Sequence, residues 1–184
     1  MGPLGYIGII VGALVLYLLL TFFINKNKHK VLIEEISEIA KKHNFELIEV
    51  KNQKYDFKLV NNDYDIYVKV AKIPTNSSVT INSKDTWCLR WGGKRKGRNY
   101  PNMRYMNELI PFLRSNITSN DKDVIRLVIL YPTCEVILKY LNESEIATVT
   151  PSSINHGFKV LKYKELDENF DKLFNKKEPK KWKN

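Results

Sequence analysis

Val124-Ile125-Arg126-Leu127-Val128-Ile129-Leu130-Tyr131 decides the fold class, because a nearly continuous apolar run of strand length, closed by Pro132, reads as a central strand buried on both faces. A central strand implies a sheet around it. Upstream, Lys54 to Val60 and Tyr64 to Lys72 alternate on either side of Asn61-Asn62-Asp63, the signature of a β-hairpin. Phe45 to Val50 reads as the strand before that hairpin. It follows a helix over Val31 to His43 with Leu32, Ile36, Ile39 and Ala40 on one face and Asn44 as C-cap.

Beyond Pro74, Val79 to Ile81 and Trp87 to Trp91 add strand, and a helix is expected from about Met103 to Leu113 with Met106, Leu109, Ile110 and Leu113 on one face. After the central strand the pattern predicts a short helix over Val136 to Leu141, strands over Ile146 to Val149 and Phe158 to Tyr163, and a helix from Glu165 to Phe174. This alternation predicts an α/β fold, a mixed β-sheet flanked by helices.

The N-terminal end is of another kind. Leu4 to Ile24, LGYIGIIVGALVLYLLLTFFI, is an uninterrupted apolar stretch of about 20 residues, the length that spans a bilayer as a helix. The chain carries a net charge of +10 over 184 residues, and no Asp, Glu, Lys or Arg precedes Lys26. Lys26, Lys28 and Lys30 follow the apolar stretch directly. The positive-inside rule then predicts a single-pass protein of the cell membrane with its C-terminal domain cytoplasmic. The expected division is a transmembrane anchor over 1–25, a basic juxtamembrane flank over 26–30, a globular domain over 31–174 and a basic C-terminal tail over 175–184. Asn76, Asn116 and Asn142 head triplets of the glycosylation acceptor pattern, which arise readily by chance in an Asn-rich chain.

Cys88 and Cys134 stand far apart, and His29, His43 and His156 share no ligand spacing, so neither a disulfide framework nor a metal site is expected. No Gly-rich phosphate loop, nucleophile elbow or Cys-His pair is present in the sequence. No cofactor is expected.

Two constellations carry the functional reading. In the first, Arg90, Trp91, Lys94, Arg95, Lys96, Arg98, Tyr100, Arg104 and Tyr105 alternate cations with aromatics around a basic loop. Cations neutralise phosphates and aromatic faces stack on unpaired bases, so nucleic acid is one expected partner. The anionic membrane surface is the other, since Lys and Arg are drawn to anionic headgroups and Trp and Tyr favour the interface. A solvated loop without a partner has the same composition. The residues identify no protein partner.

The second constellation is Asp56 on the first hairpin strand and Lys69 on the second, behind a helix bearing Glu34, Glu35 and Glu38. This order of helix, hairpin, helix and buried strand resembles the restriction-endonuclease-like superfamily, and within it the nuclease-related domain, over about Val31 to Phe174. The resemblance implies that a helix Glu such as Glu38, a strand Asp at Asp56 and Lys69 would serve Mg²⁺-dependent phosphodiester cleavage, since hard Mg²⁺ takes oxygen ligands. Tyr67 occupies the position two before Lys69 where that family carries Asp or Glu, and Val70 occupies it if the frame slides to Lys72. The expected function is therefore a degenerate, non-catalytic nuclease-like domain that binds an anionic partner. The alternatives are an active Mg²⁺-dependent nuclease whose missing carboxylate comes from Asp63, Asp65 or Asp85, and a protein-interaction domain.

Overall fold

A computed structural model describes residues 3–50, 54–92, 100–119, 121–142 and 145–174, and the side chains of 3–13 and 22–29 lie outside that description. The chain divides into two compact units, Met1–Ile39 and Ala40–Asn184. Helix α1, Pro3–Lys42, supplies the first unit. There Leu14 to Leu20 are exposed, and further on Leu32 and Ile36 are buried while Glu34, Glu35 and Glu38 are exposed, the amphipathic split expected of this segment. Lys30 and Glu34 form an i,i+4 ion pair at 3.6 Å.

The expected membrane anchor is corrected here. Among the described residues no helix is long and apolar enough to cross a membrane. This finding overturns the transmembrane helix in the expected fold, the single-pass integral membrane assignment and the cell-membrane localisation with a cytoplasmic domain.

The second unit begins at the end of α1, where Asn44 adopts φ 61°. The Asn44 N–H donates to Lys41 O at 3.1 Å and the Phe45 N–H to Ala40 O at 2.8 Å, the two bonds of a Schellman cap, as the Asn predicted. The class is α/β, with two mixed five-stranded sheets. In the first sheet β1 (Glu46–Glu49), β2 (Phe57–Val60) and β3 (Tyr64–Lys72) form an antiparallel meander, and β3 then runs parallel to β7 (Asp123–Tyr131), which runs parallel to β10 (Lys159–Lys162). The β2–β3 turn closes on the Asn61 side chain, whose Oδ1 accepts the N–H groups of Asp63 at 2.9 Å and Tyr64 at 2.7 Å.

The second sheet has the order β6 (Asn102–Tyr105), β5 (Trp87–Trp91), β4 (Ser77–Ile81), β8 (Val136–Tyr140), β9 (Ile146–Thr148). Strands β4 and β8 are its parallel pair, Ser78 opposite Val136 and Thr80 opposite Leu138. The two sheets are joined where β3 passes into β4 and β7 into β8. The Ile73 N–H donates to Tyr131 O and the Glu135 N–H to Ser77 O, both at 2.8 Å, so the two connections stay bonded to each other as they cross.

One buried cluster draws from both sheets: Ala71, Val128 and Leu130 from the first, Val79, Trp87 and Leu89 from the second. Met106, Leu109, Phe112 and Leu113 complete it from a 3₁₀ turn at Asn107–Leu109 and α2, Ile110–Leu113. On its other face the first sheet buries Phe57, Leu59, Ile66, Val68, Leu127 and Ile129, so β7 is the central strand its apolar run predicted. A final short helix, α3 (Leu166–Asn169), buries Leu166.

Two expected elements differ. Where a helix is expected over 136–141 the chain forms strand β8, Val136–Tyr140, because its backbone pairs with β4 and its alternation puts Val136, Leu138 and Tyr140 on one face. The helix expected from 103 begins later, since Met103 to Tyr105 pair with β5 as an edge strand, and only Met106 onward turns inward. The shared core predicts that Leu130→Ala lowers unfolding free energy by about 2–5 kcal/mol in urea titrations. Ile146→Ala, on an exposed side chain, should change it by no more than about 0.5 kcal/mol.

Candidate functional site

Side chains alternate along a strand, so the second sheet, having turned one face to the core, presents another set of residues on its opposite face. Across one row of that face lie Met103, Arg90, Ser78 and Val136, and across the next Tyr105, Cys88, Thr80, Leu138 and Thr148. A third row follows with Asn82, Tyr140 and Ile146. The middle strands carry small side chains and the flanking strands large ones. The result is a trough of about 750 Å³, with Tyr100 and Glu135 at the Arg90 end and Tyr140 and Ile146 at the other.

Met103 is 53 % exposed, Tyr105 52 %, Ile146 42 % and Tyr140 37 %, so the walls of the trough are apolar and aromatic groups facing water. Arg90 is exposed, and among the described residues no carboxylate stands within ion-pair distance of it. Glu135, the one acid in the lining among the described residues, accepts a hydrogen bond from Tyr100 Oη at 2.5 Å. Burial, together with that bond and the Glu135 charge, pushes the Tyr100 phenol up to about 12. Gly92, at φ 90°, turns the chain off β5 beside this end, in a left-handed conformation that other residues rarely adopt.

Of the cation and aromatic residues singled out by sequence, the structure brings Arg90, Tyr100 and Tyr105 together on this face. Trp91 points the other way and packs against the core cluster. Arg104 holds Glu108 through two hydrogen bonds of 2.8 Å. Burial works to raise the Glu108 carboxyl, but the bonds from Arg104 and its own backbone, with the charges of Arg104 and Lys69, hold it below the usual carboxylate range. Lys94, Arg95, Lys96 and Arg98 lie outside the described residues, as does the basic tail. Sequence reading missed Tyr140, Leu138 and Val136 because 136–141 was expected to be helical. Their alternation was the signal.

Asp56 and Lys69 do converge. Lys69 Nζ donates to Asp56 Oδ1 at 2.8 Å, and the Val70 N–H donates to Asp56 Oδ2 at 2.7 Å, so both carboxylate oxygens are engaged. Tyr67 stands against Tyr55, with ring centroids 5.0 Å apart, and under the Lys58 ammonium at 5.1 Å. Lys58 in turn pairs with the buried Asp65 at 2.8 Å, Asp85 pairs with Arg114 at 2.7 Å, and Asp63 is exposed in the hairpin turn. Glu38 belongs to the first unit, where it is exposed. Among the described residues no three His, Cys, Asp or Glu side chains gather as a metal site.

No protein-family model, no curated protein and no solved structure matches the chain.

The Tyr100–Glu135 contact predicts a pH effect. The fold favours the neutral phenol, so the stability it contributes is complete below about pH 10, its ordinary value, and lost as pH rises through about 12. In an NMR titration Glu135→Gln should lower the Tyr100 pKa without returning it to 10.0, because burial, the largest cause, remains.

Proposed function

We propose that this chain binds nucleic acid through the open face of its second sheet and does not cleave it, as a non-cleaving relative of the restriction-endonuclease-like fold. The observation that carries the reading is the convergence of Arg90, Tyr100 and Tyr105 on one solvent-facing trough, joined by Tyr140 from a strand far along the chain. A guanidinium without an acid partner among the described residues, on a chain of net charge +10, suits a polyanion, and phosphate contacts supply most of the affinity of such complexes. The exposed aromatic walls suit bases and sugars rather than a purely ionic contact.

The non-cleaving part rests on Asp56. Both of its oxygens are bound, one by Lys69 and one by a backbone N–H, and the side chain across from Lys58 is Tyr67 rather than an acid. A carboxylate so engaged ties β2 to β3. No cofactor belongs to this reading.

Binding of labelled DNA or RNA to the full chain, followed by anisotropy, tests the first part. Arg90→Glu should weaken binding and reduce the slope of log K against log salt by about 0.7–0.9, the share of one phosphate contact. Equal binding by this variant, or no binding by the wild type at about 0.1 M salt, contradicts the reading. For the second part, neither single- nor double-stranded DNA or RNA should be cut with Mg²⁺ or Mn²⁺. Asp56→Ala should instead show itself as a loss of about 1.5–3 kcal/mol of stability, the range for hydrogen bonds to a charged group. Metal-dependent cleavage that vanishes in Asp56→Ala would establish the nuclease instead.

A further inference from the structure

The shape of the trough and the groups its residues leave unused bear on the form of ligand it would take. Its floor is Ser78, Thr80, Cys88 and Asn82, and its length along β4, four residue steps from Ser78 to Asn82, is roughly 13 Å at about 3.3 Å per residue. Met103 and Tyr105 rise on the β6 side, Val136, Leu138 and Tyr140 on the β8 side. Among the described residues the rings of Tyr100, Tyr105 and Tyr140 make no aromatic contact. The side chains of Ser78, Thr80 and Asn82 likewise make no hydrogen bond among the described residues, so hydroxyl and amide groups face the trough with donors and acceptors to spare.

A duplex makes little use of the exposed rings. Its bases stack on one another and its paired edges are occupied, so it offers an exposed ring little beyond backbone. An unpaired base offers both a π-face and free edges. Arg90 stands at one end of the trough with no acid paired to it among the described residues, in position for a phosphate of the same strand.

We propose that the trough is a single-strand site, in which unpaired bases stack on Tyr105 and Tyr140 over the polar floor while Arg90 takes a backbone phosphate. This rests on the nucleic-acid reading above and adds to it the form of the ligand and the residues that select it. A single strand needs contact along only part of its length, and a short trough suits a site of a few nucleotides.

The test uses the full chain and a labelled mixed-sequence strand of about 12 nucleotides, within the range of such sites, made as DNA and as RNA, beside the duplex formed with its complement. The strand should bind more tightly than the duplex. Tyr105→Ala and Tyr140→Ala should each weaken strand binding by roughly 5- to 150-fold, the range for loss of one stacked base, and leave duplex binding nearly unchanged. The Phe variants should bind the strand as the wild type does, because the ring and not the hydroxyl is used. Tyr105→Leu, which keeps an apolar side chain on the wall, should bind as weakly as the Ala variant. An unchanged denaturation midpoint shows that the variants fold, as expected of residues 52 % and 37 % exposed. Equal affinity for strand and duplex, or Ala variants that bind the strand normally while Arg90→Glu still fails, overturns the single-strand site and leaves the nucleic-acid reading standing. Absence of binding to either form, or binding only to anionic vesicles, overturns both.

Discussion

Nine residues of β3 lie parallel to nine of β7, from Tyr64 opposite Asp123 to Lys72 opposite Tyr131. Because both strands then leave the first sheet together, this pairing sets the course of everything downstream. Ile73 and Tyr131, then Glu135 and Ser77, keep the two connections hydrogen-bonded through the crossing, and they arrive in the second sheet as the parallel pair β4 and β8. Parallel pairing joins segments far apart in sequence, so it is costly in chain entropy to close and needs buried apolar surface to offset it. Leu127 to Leu130 supply that surface on both faces of β7, each fully buried. The antiparallel hairpins β2–β3 and β4–β5 need only their own turns.

The crossing also decides what faces water. With Val79, Ile81, Trp87 and Leu89 committed to the core, the alternate residues of β4 and β5 fall on the open face, where they are small or charged: Ser78, Thr80, Cys88, Arg90. The flanking strands bring large ones. A trough follows from side-chain volume alone, without a loop to build it. Among the described residues Met103, Tyr105 and Ile146 keep 53 %, 52 % and 42 % of their surface exposed. Folding leaves that apolar surface in water, and a ligand is one means by which such surface is removed from it.

The first sheet makes the opposite choice. Asp56, Lys69, Lys58 and Asp65 resemble reactive groups when read in line, yet they are joined in two ion pairs of 2.8 Å across the hairpin. Cross-strand register put opposite charges beside each other, and partial burial makes each pair hard to open, since an unpaired charge left there would lack both water and a partner. A list of residue types cannot show which charges the register pairs.

Local patterns were enough for the elements whose residues answer to their own neighbours. The hairpin around Asn61, the Asn44 helix cap, the strand 124–131 and the helical segment after Glu165 all follow from periodicity and turn chemistry, which act over a few residues. Segments 103–105 and 136–141 were misread because their strands exist only by pairing with β5 and β4, and their own sequences are compatible with a helix. The apolar run 4–24 led to a span that no described helix bears out. The site divided in the same manner. Arg90, Tyr100 and Tyr105 were legible as a cluster in sequence, but that Trp91 and Arg104 turn away from them, and that Tyr140 joins them, depended on strand register. Register is a property of two strands held side by side, and a one-residue shift would send every side chain to the other face. Composition and local period therefore determined the class of fold and the chemistry available to it, while tertiary pairing alone decided which of those groups share a surface.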